Sequence, residues 1–256
     1  AYTIGVSTLL FQTLTNNPIL TPSILGFDSL YLLLQTILVF LLGGLGFTQL
    51  PIANKFAFET LLMLGAALLL FRTLTKDNAD IARMLLIGVV FGVFFRSVNN
   101  LLQRMIDPEE FAVAQSSSFA SFNNANPTLL TIGIIIALLS SIWIWTQRHK
   151  LDVLMLGKHK AIGLGINYNR FSHQLLICCA LLVSVSTALV GPILFLGLLV
   201  CAIVNAISPT MQHAIRIPLT FIISAITLVL GQAMFEQLFK LQGVLSVVIE
   251  FLGGIV

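Results

Sequence analysis

Four histidines, three cysteines and one polar run inside an apolar stretch are the places where this sequence could do chemistry. His149, His159, His173 and His213 are scattered over connections and helix ends, with no H-E-x-x-H pairing and no metal-ligand spacing. Cys178, Cys179 and Cys201 all fall inside apolar segments, spaced for neither a zinc site nor a redox pair. They are expected to act as small buried hydrophobes. The stretch "GKHKAIGLG" has the look of a phosphate loop. A Walker A loop, however, needs Ser or Thr after Gly-Lys, and here His159 follows Gly157-Lys158. With no nucleophile–base pair, metal set or nucleotide loop, the sequence does not read as an enzyme. No cofactor bound by this chain is expected, and any energy must come from a partner or an ion gradient.

The polar run carries more information. Arg96 lies fourteen residues into the apolar segment 82–106 and is followed by Asn99, Asn100, Gln103 and Arg104. At helical spacing Arg96, Asn99, Asn100 and Gln103 share a face. A charge at membrane depth costs about 2.5 kcal/mol or more, so this face should line a cavity or meet a partner. Two readings stand: a cationic, hydrogen-bonding wall of a translocation path suited to an anionic or oxygen-rich solute, or a helix that ends early with Arg96 snorkelling outward. Gln12, Gln35 and Gln232 are single polar residues of the kind that join helices. Glu250 is counted as the one intramembrane acid.

The elements that position these residues follow from composition. Of 256 residues, 57% are hydrophobic and 9% charged, against about 25% charged in soluble domains; mean hydropathy is +1.01. Measured against the roughly 20 apolar residues of a spanning helix, segments fall near 1–15, 29–47, 56–72, 82–106, 129–146, 172–190, 191–207, 217–238 and 244–256. Strands of about ten alternating residues, the barrel pattern, do not occur. The fold class is therefore all-α: a polytopic membrane helical bundle forming a single transmembrane domain over 1–256. The first and last runs are too short to cross a ~30 Å core, so a preceding helix and the end of the last one are expected outside this sequence. The segment from Gly191-Pro192 is expected to be a bent or partial span.

The net charge of +3 matters through its placement. Arg148, Lys150, Lys158, Lys160 and Arg170 crowd one connection against Asp152, and Arg72, Lys76 and Arg83 flank another, while Asp107, Glu109 and Glu110 sit together elsewhere. The positive-inside rule puts 148–170 and 72–83 in the cytoplasm and 107–128 outside. Because the basic residues flank spans, no nucleic-acid partner is implied. In the outer loop, Asp107, Pro108 and the two glutamates predict the start of a short helix, either a surface connector or a docking surface. In the inner loop, a short basic helix is predicted over Leu154–Ile162, stopped by Gly163 and Gly165. It reads either as an anchor on lipid headgroups or as a plug for another protein's groove, with Leu156 and Ile162 as anchors.

Three stretches carry a resemblance. Gln12, Asn17, Pro18, Pro22, Leu25 and Gly26 stand where the iron-siderophore, haem and cobalamin uptake permeases, the membrane subunits of type II ABC importers, have Q-x-x-x-x-N-P-L-x-x-P-x-x-L-G. Leu156, Gly157, Ala161, Leu164, Gly165 and Ile166 resemble that family's coupling element L-G-x-x-x-A-x-x-L-G-V, and "GPILFLGLLV" from Gly191 resembles its G-x-I-x-F-V-G-L segment. After that segment the family usually has Pro-His and a basic residue; here Cys201-Ala202 and Asn205 stand instead. These departures are closer to a siderophore branch than to the cobalamin one.

The resemblance implies a ten-helix type II ABC importer permease, multi-pass in the bacterial inner membrane, that moves a ferric siderophore. It implies a second permease subunit, identical or homologous, around a central path. It also implies two cytoplasmic ATPase subunits that carry ATP and Mg, and a periplasmic or lipid-anchored binding protein. Leu156, Gly157, Ala161, Ile162, Leu164 and Gly165 would couple to the ATPase, and Lys55, Arg104 and Lys240 would dock the binding protein. Asn17, Pro18, Pro22 and Gly26 would form a fixed turn, since proline disfavours helix and glycine permits close approach. The alternatives are a haem or cobalamin permease, an ion-coupled secondary transporter or a membrane scaffold.

Overall fold

A computed structural model of the chain describes residues 1–75, 81–117, 119–120 and 126–233. Lys76, Lys240, Glu250 and the apolar run 244–256 lie outside the described residues. The helices in chain order are α1 (Tyr2–Thr15), α2 (Phe27–Gln49), α3 (Ile52–Thr75), α4 (Ile81–Gln103), α5 (Pro108–Ser117), α6 (Pro127–Leu154), α7 (Lys158–Gly163), α8 (Tyr168–Val190), α9 (Leu196–Ile207) and α10 (His213–Ala233). A 3₁₀ turn, Pro22–Leu25, precedes α2. No strand occurs among the described residues. Among the described residues six helices, α2, α3, α4, α6, α8 and α10, are long and apolar enough to cross a membrane. The short α9, 12 residues long, is the partial span expected after Gly191-Pro192.

The described residues group into two compact units. The first holds Ala1–Pro22, Ile134–Val183 and the described residues from Ile193 to Ala233; the second holds the described residues of Ser23–Gly133 and Ser184–Pro192. In the first, α1 is buried all round from Ile4 to Leu14, its threonines and serine included, and it lies against α9 and α10. Leu9, Leu10 and Phe11 are buried to the last atom. Close packing here depends on small residues: a Cβ on Gly5 would come within 3.1 Å of Thr220, and Gly197 sits directly against Thr8 and Ile4. The cysteines are free and buried, with the Cys179 thiol facing the Ser7 carbonyl at 3.4 Å.

In the second unit α2 packs on α4 and α5. Gly43 breaks the helical geometry of α2 at φ 71°, and Val39 before that kink and Phe47 after it join Ile106 and Ala114 in a small core that seats α5. The Glu110 carboxylate accepts from the Gly44 N–H at 3.3 Å. Helix α5 begins at Pro108 with Glu109 and Glu110 in its first turn, as the sequence pattern predicts; acids there complement the helix dipole.

Candidate coupling element and transport face

The turn after α1 is built by the residues the sequence singles out. Asn16 ends the helix in the left-handed region at φ 48°. The Asn17 side chain then accepts from the Ile19 N–H at 3.0 Å, and the Gln12 amide donates to the Pro18 carbonyl. Gln12 therefore braces its own turn and does not join two helices. Pro22 opens the 3₁₀ turn, and Gly26 caps α2 at φ 86°. A Cβ on Gly26 would lie 2.8 Å from the Gly92 Cα, and one on Gly88 would lie 2.9 Å from the Leu25 Cα. The two backbones touch because neither side has a side chain in the way.

The inner loop departs from expectation in one respect. Instead of a helix over Leu154–Ile162, α6 runs on to Leu154 and α7 begins only at Lys158. The cause is Gly157, at φ 93° and ψ 162°, a region essentially closed to other residues; it ends one helix and re-aims the next. The far end closes as a Schellman motif: the Ile166 N–H reaches the Ala161 carbonyl at 3.1 Å and the Gly165 N–H reaches that of Ile162 at 2.9 Å, with Gly165 at φ 84°. Of the expected coupling residues, Leu156, Ile162 and Leu164 stand exposed at 51%, 51% and 62%, whereas Ala161 is fully buried. Ala161 therefore seats α7, and the three exposed side chains form the apolar tip. Lys158 and Lys160 are exposed beside them.

Sequence reasoning left His213 and Asp152 unconnected, 61 residues apart. In the structure the Asp152 carboxylate, near the end of α6, accepts from both the His213 backbone N–H at 2.8 Å and its Nδ1 at 2.7 Å. The same imidazole is fully buried, and its Nε2 lies 2.8 Å from the Thr13 hydroxyl on α1. One turn on, Arg216 donates to the Asn205 side chain on α9 and approaches the Met155 sulfur.

The polar face of α4 is only partly as expected. Arg96 and Asn100 are exposed and Gln103 half-buried, but Asn99 is buried. The reason is rotation: Asn99 stands about 60° from Arg96 around the axis while Asn100 and Gln103 lie within about 40° of it, which turns Asn99 toward the packed side. Asp28, buried at the start of α2, interacts electrostatically with Arg96 and hydrogen-bonds Ser23. Counting Glu250 as the one intramembrane acid omits Asp28 and Glu59. Glu59 is 1% exposed within α3 and accepts from the Gln35 amide of α2 at 2.8 Å. Lys55, expected to face a docking partner, instead turns inward: its ammonium is 3.9 Å from Glu59 and 3.8 Å above the Phe47 ring. Arg104 is exposed just beyond α4. A cavity of about 210 Å³ among α2, α3 and α4 is lined by Leu30, Ala67, Phe91 and Phe95 and similar side chains. It offers no polar handle for a chelate. Among the described residues no three His, Cys, Asp or Glu come together as a metal site.

The model of the FecCD transport family matches residues 1–256. The petrobactin import system permease protein YclO of Bacillus subtilis (strain 168) is 47% identical over 256 residues, covering 98% of this chain and 80% of the relative. The petrobactin import system permease protein FatC of Bacillus anthracis is 34% identical over 253 residues, covering 98% of this chain and 72% of that one. A solved metal-chelate-type ABC transporter in an inward-facing conformation superposes with a TM-score of 0.86 at 20% identity, over 98% of this chain and 80% of the other.

Proposed function

This chain belongs to the FecCD transport family, and from that premise we propose that it is the membrane permease of an ABC importer for a ferric siderophore of the petrobactin type. The observation that carries the reading is the 47% identity to a petrobactin import permease across nearly the whole chain. The glycine-hinged α7, with its exposed apolar tip and two lysines, supports it as a plug for a cytoplasmic ATPase groove. ATP and Mg²⁺ belong to two such ATPase subunits and no cofactor to this chain. A second permease subunit covers the exposed Arg96–Asn100 face, because a guanidinium left against lipid is costly, and the path runs along that face with Gln103 at its outer end. Arg104 remains a contact for an extracytoplasmic binding protein; such charges steer encounter more than they add affinity. The setting is a bacterial cytoplasmic membrane.

The test is uptake in cells lacking this gene, using radioiron-labelled ferric petrobactin and a ferric hydroxamate, with haemin and cobalamin alongside. Loss of petrobactin-dependent uptake alone, restored by the full-length gene, is expected. Unchanged uptake of all four sinks the proposal, and selective loss of another cargo replaces the substrate.

A further inference from the structure

The cytoplasmic ends of four helices meet on two residues of α10. Its first residue, His213, has a backbone N–H with no partner inside its own helix. The cap comes from another helix: Asp152, on the last turn of α6, accepts that N–H and the ring Nδ1 together. An anion there also complements the positive end of the α10 dipole. The opposite ring nitrogen meets the Thr13 hydroxyl of α1, which in turn lies 2.9 Å from the Leu9 carbonyl. Arg216 repeats the pattern one turn later, touching Met155 of the same α6 end and Asn205 of α9. Asp152 and Met155 immediately precede Gly157 and α7. A force on α7 thus has a short route to α10, through one Asp152 carboxylate oxygen that takes both bonds and a fully buried imidazole.

We propose that Asp152, His213 and Thr13 are positioning residues of the transport cycle, a strut that makes the cytoplasmic ends of α10 and α1 follow the coupling helix. The strut rests on the importer reading above, and its test keeps the two separable. The full complex of permease, ATPase and binding protein is reconstituted in vesicles with Thr13→Val, Asp152→Ala or Asp152→Asn, and ferric petrobactin imported per ATP hydrolysed is measured alongside complex recovery. With assembly retained, Thr13→Val and Asp152→Ala should lower chelate imported per ATP about tenfold, a coupling loss of ordinary size. Asp152→Asn keeps an acceptor oxygen for the α10 N–H and should restore most of it. An unchanged ratio in both variants overturns the strut, as does a fall of recovery, hydrolysis and import in step.

A native complex that hydrolyses ATP but imports no chelate overturns the importer reading instead. The strut is then judged by spin-label distances between Lys160→Cys on α7 and Met211→Cys just before α10, both exposed positions. That distance should hold through the ATP cycle in the native background and spread in Asp152→Ala. A distance that changes as much in the native background as in the variant refutes the strut directly.

Discussion

Replacing Gly26 by alanine tests the contact on which the second unit turns. Two separate costs apply. Gly26 has φ 86°, where an L-residue with a Cβ loses about 1–2 kcal/mol. The new methyl would also lie 2.8 Å from the Gly92 Cα and 3.0 Å from its nitrogen. These are backbone atoms that cannot rotate aside, and overpacking of this kind costs about 1–3 kcal/mol. The sum is about 2–5 kcal/mol, which for a chain of this size lowers the midpoint by roughly 4–20 °C at about 2–4 °C per kcal/mol. Two controls isolate the cause. Gly92→Ala places its methyl 3.3 Å from the Gly26 Cα, at a position without the backbone strain, and should cost only about 1 kcal/mol. Gly65→Ala meets nothing within 4 Å and should gain about 1 kcal/mol from helix propensity. Thermal unfolding of the purified protein in one detergent, followed by loss of the monodisperse gel-filtration peak, ranks the three. A Gly26→Ala midpoint within 1 °C of the native protein would refute both the left-handed geometry and the backbone contact.

Three further outcomes follow from the same structure. Ile162→Glu and Leu164→Glu, at exposed positions, should leave the permease folded but weaken ATPase association at least tenfold, about 1.4 kcal/mol, by pull-down; Ala161→Leu, at a fully buried position, should instead lower the unfolding midpoint. Equal effects on both readouts would contradict the division of α7 into tip and seat. Glu59→Leu leaves the buried Gln35 amide without its acceptor and should cost about 1–3 kcal/mol, while Glu59→Gln, which keeps an acceptor oxygen, should cost under about 1 kcal/mol. If the two unfold alike, the hydrogen bond is not what holds α2 to α3. Arg96→Ala should reduce ferric petrobactin uptake several-fold with assembly intact, and Asn99→Ala, at a buried site, should act on stability. Normal uptake in Arg96→Ala would remove that residue from the path.

What the sequence makes legible here is what depends on neighbours in the chain. Spans follow from the length of apolar runs, and helix α5 from Asp107, Pro108 and the two glutamates, because each is decided within a turn or two. The turn at 16–26 is legible for the same reason: Asn17 and Pro18 are satisfied by Ile19 and Gln12. The start of α7 is harder. Val153, Leu154, Met155 and Leu156 are all acceptable in a helix, and only the positive φ of Gly157 separates α6 from α7. Least legible are the polar residues inside spans. Glu59 reads as an acid to be overlooked in an apolar run until Gln35, 24 residues away, supplies its donor. Lys55 reads as an outward charge until Glu59 and the Phe47 ring draw it in. A polar group in a bilayer must find a partner somewhere in the protein, but nothing restricts how far along the chain that partner lies. The pairing of Asp152 with His213 is the extreme case: each looks like an ordinary loop residue, and only packing shows that one caps the helix begun by the other. Polar residues that seem idle in a membrane chain are therefore better treated as halves of unidentified pairs than as free sites.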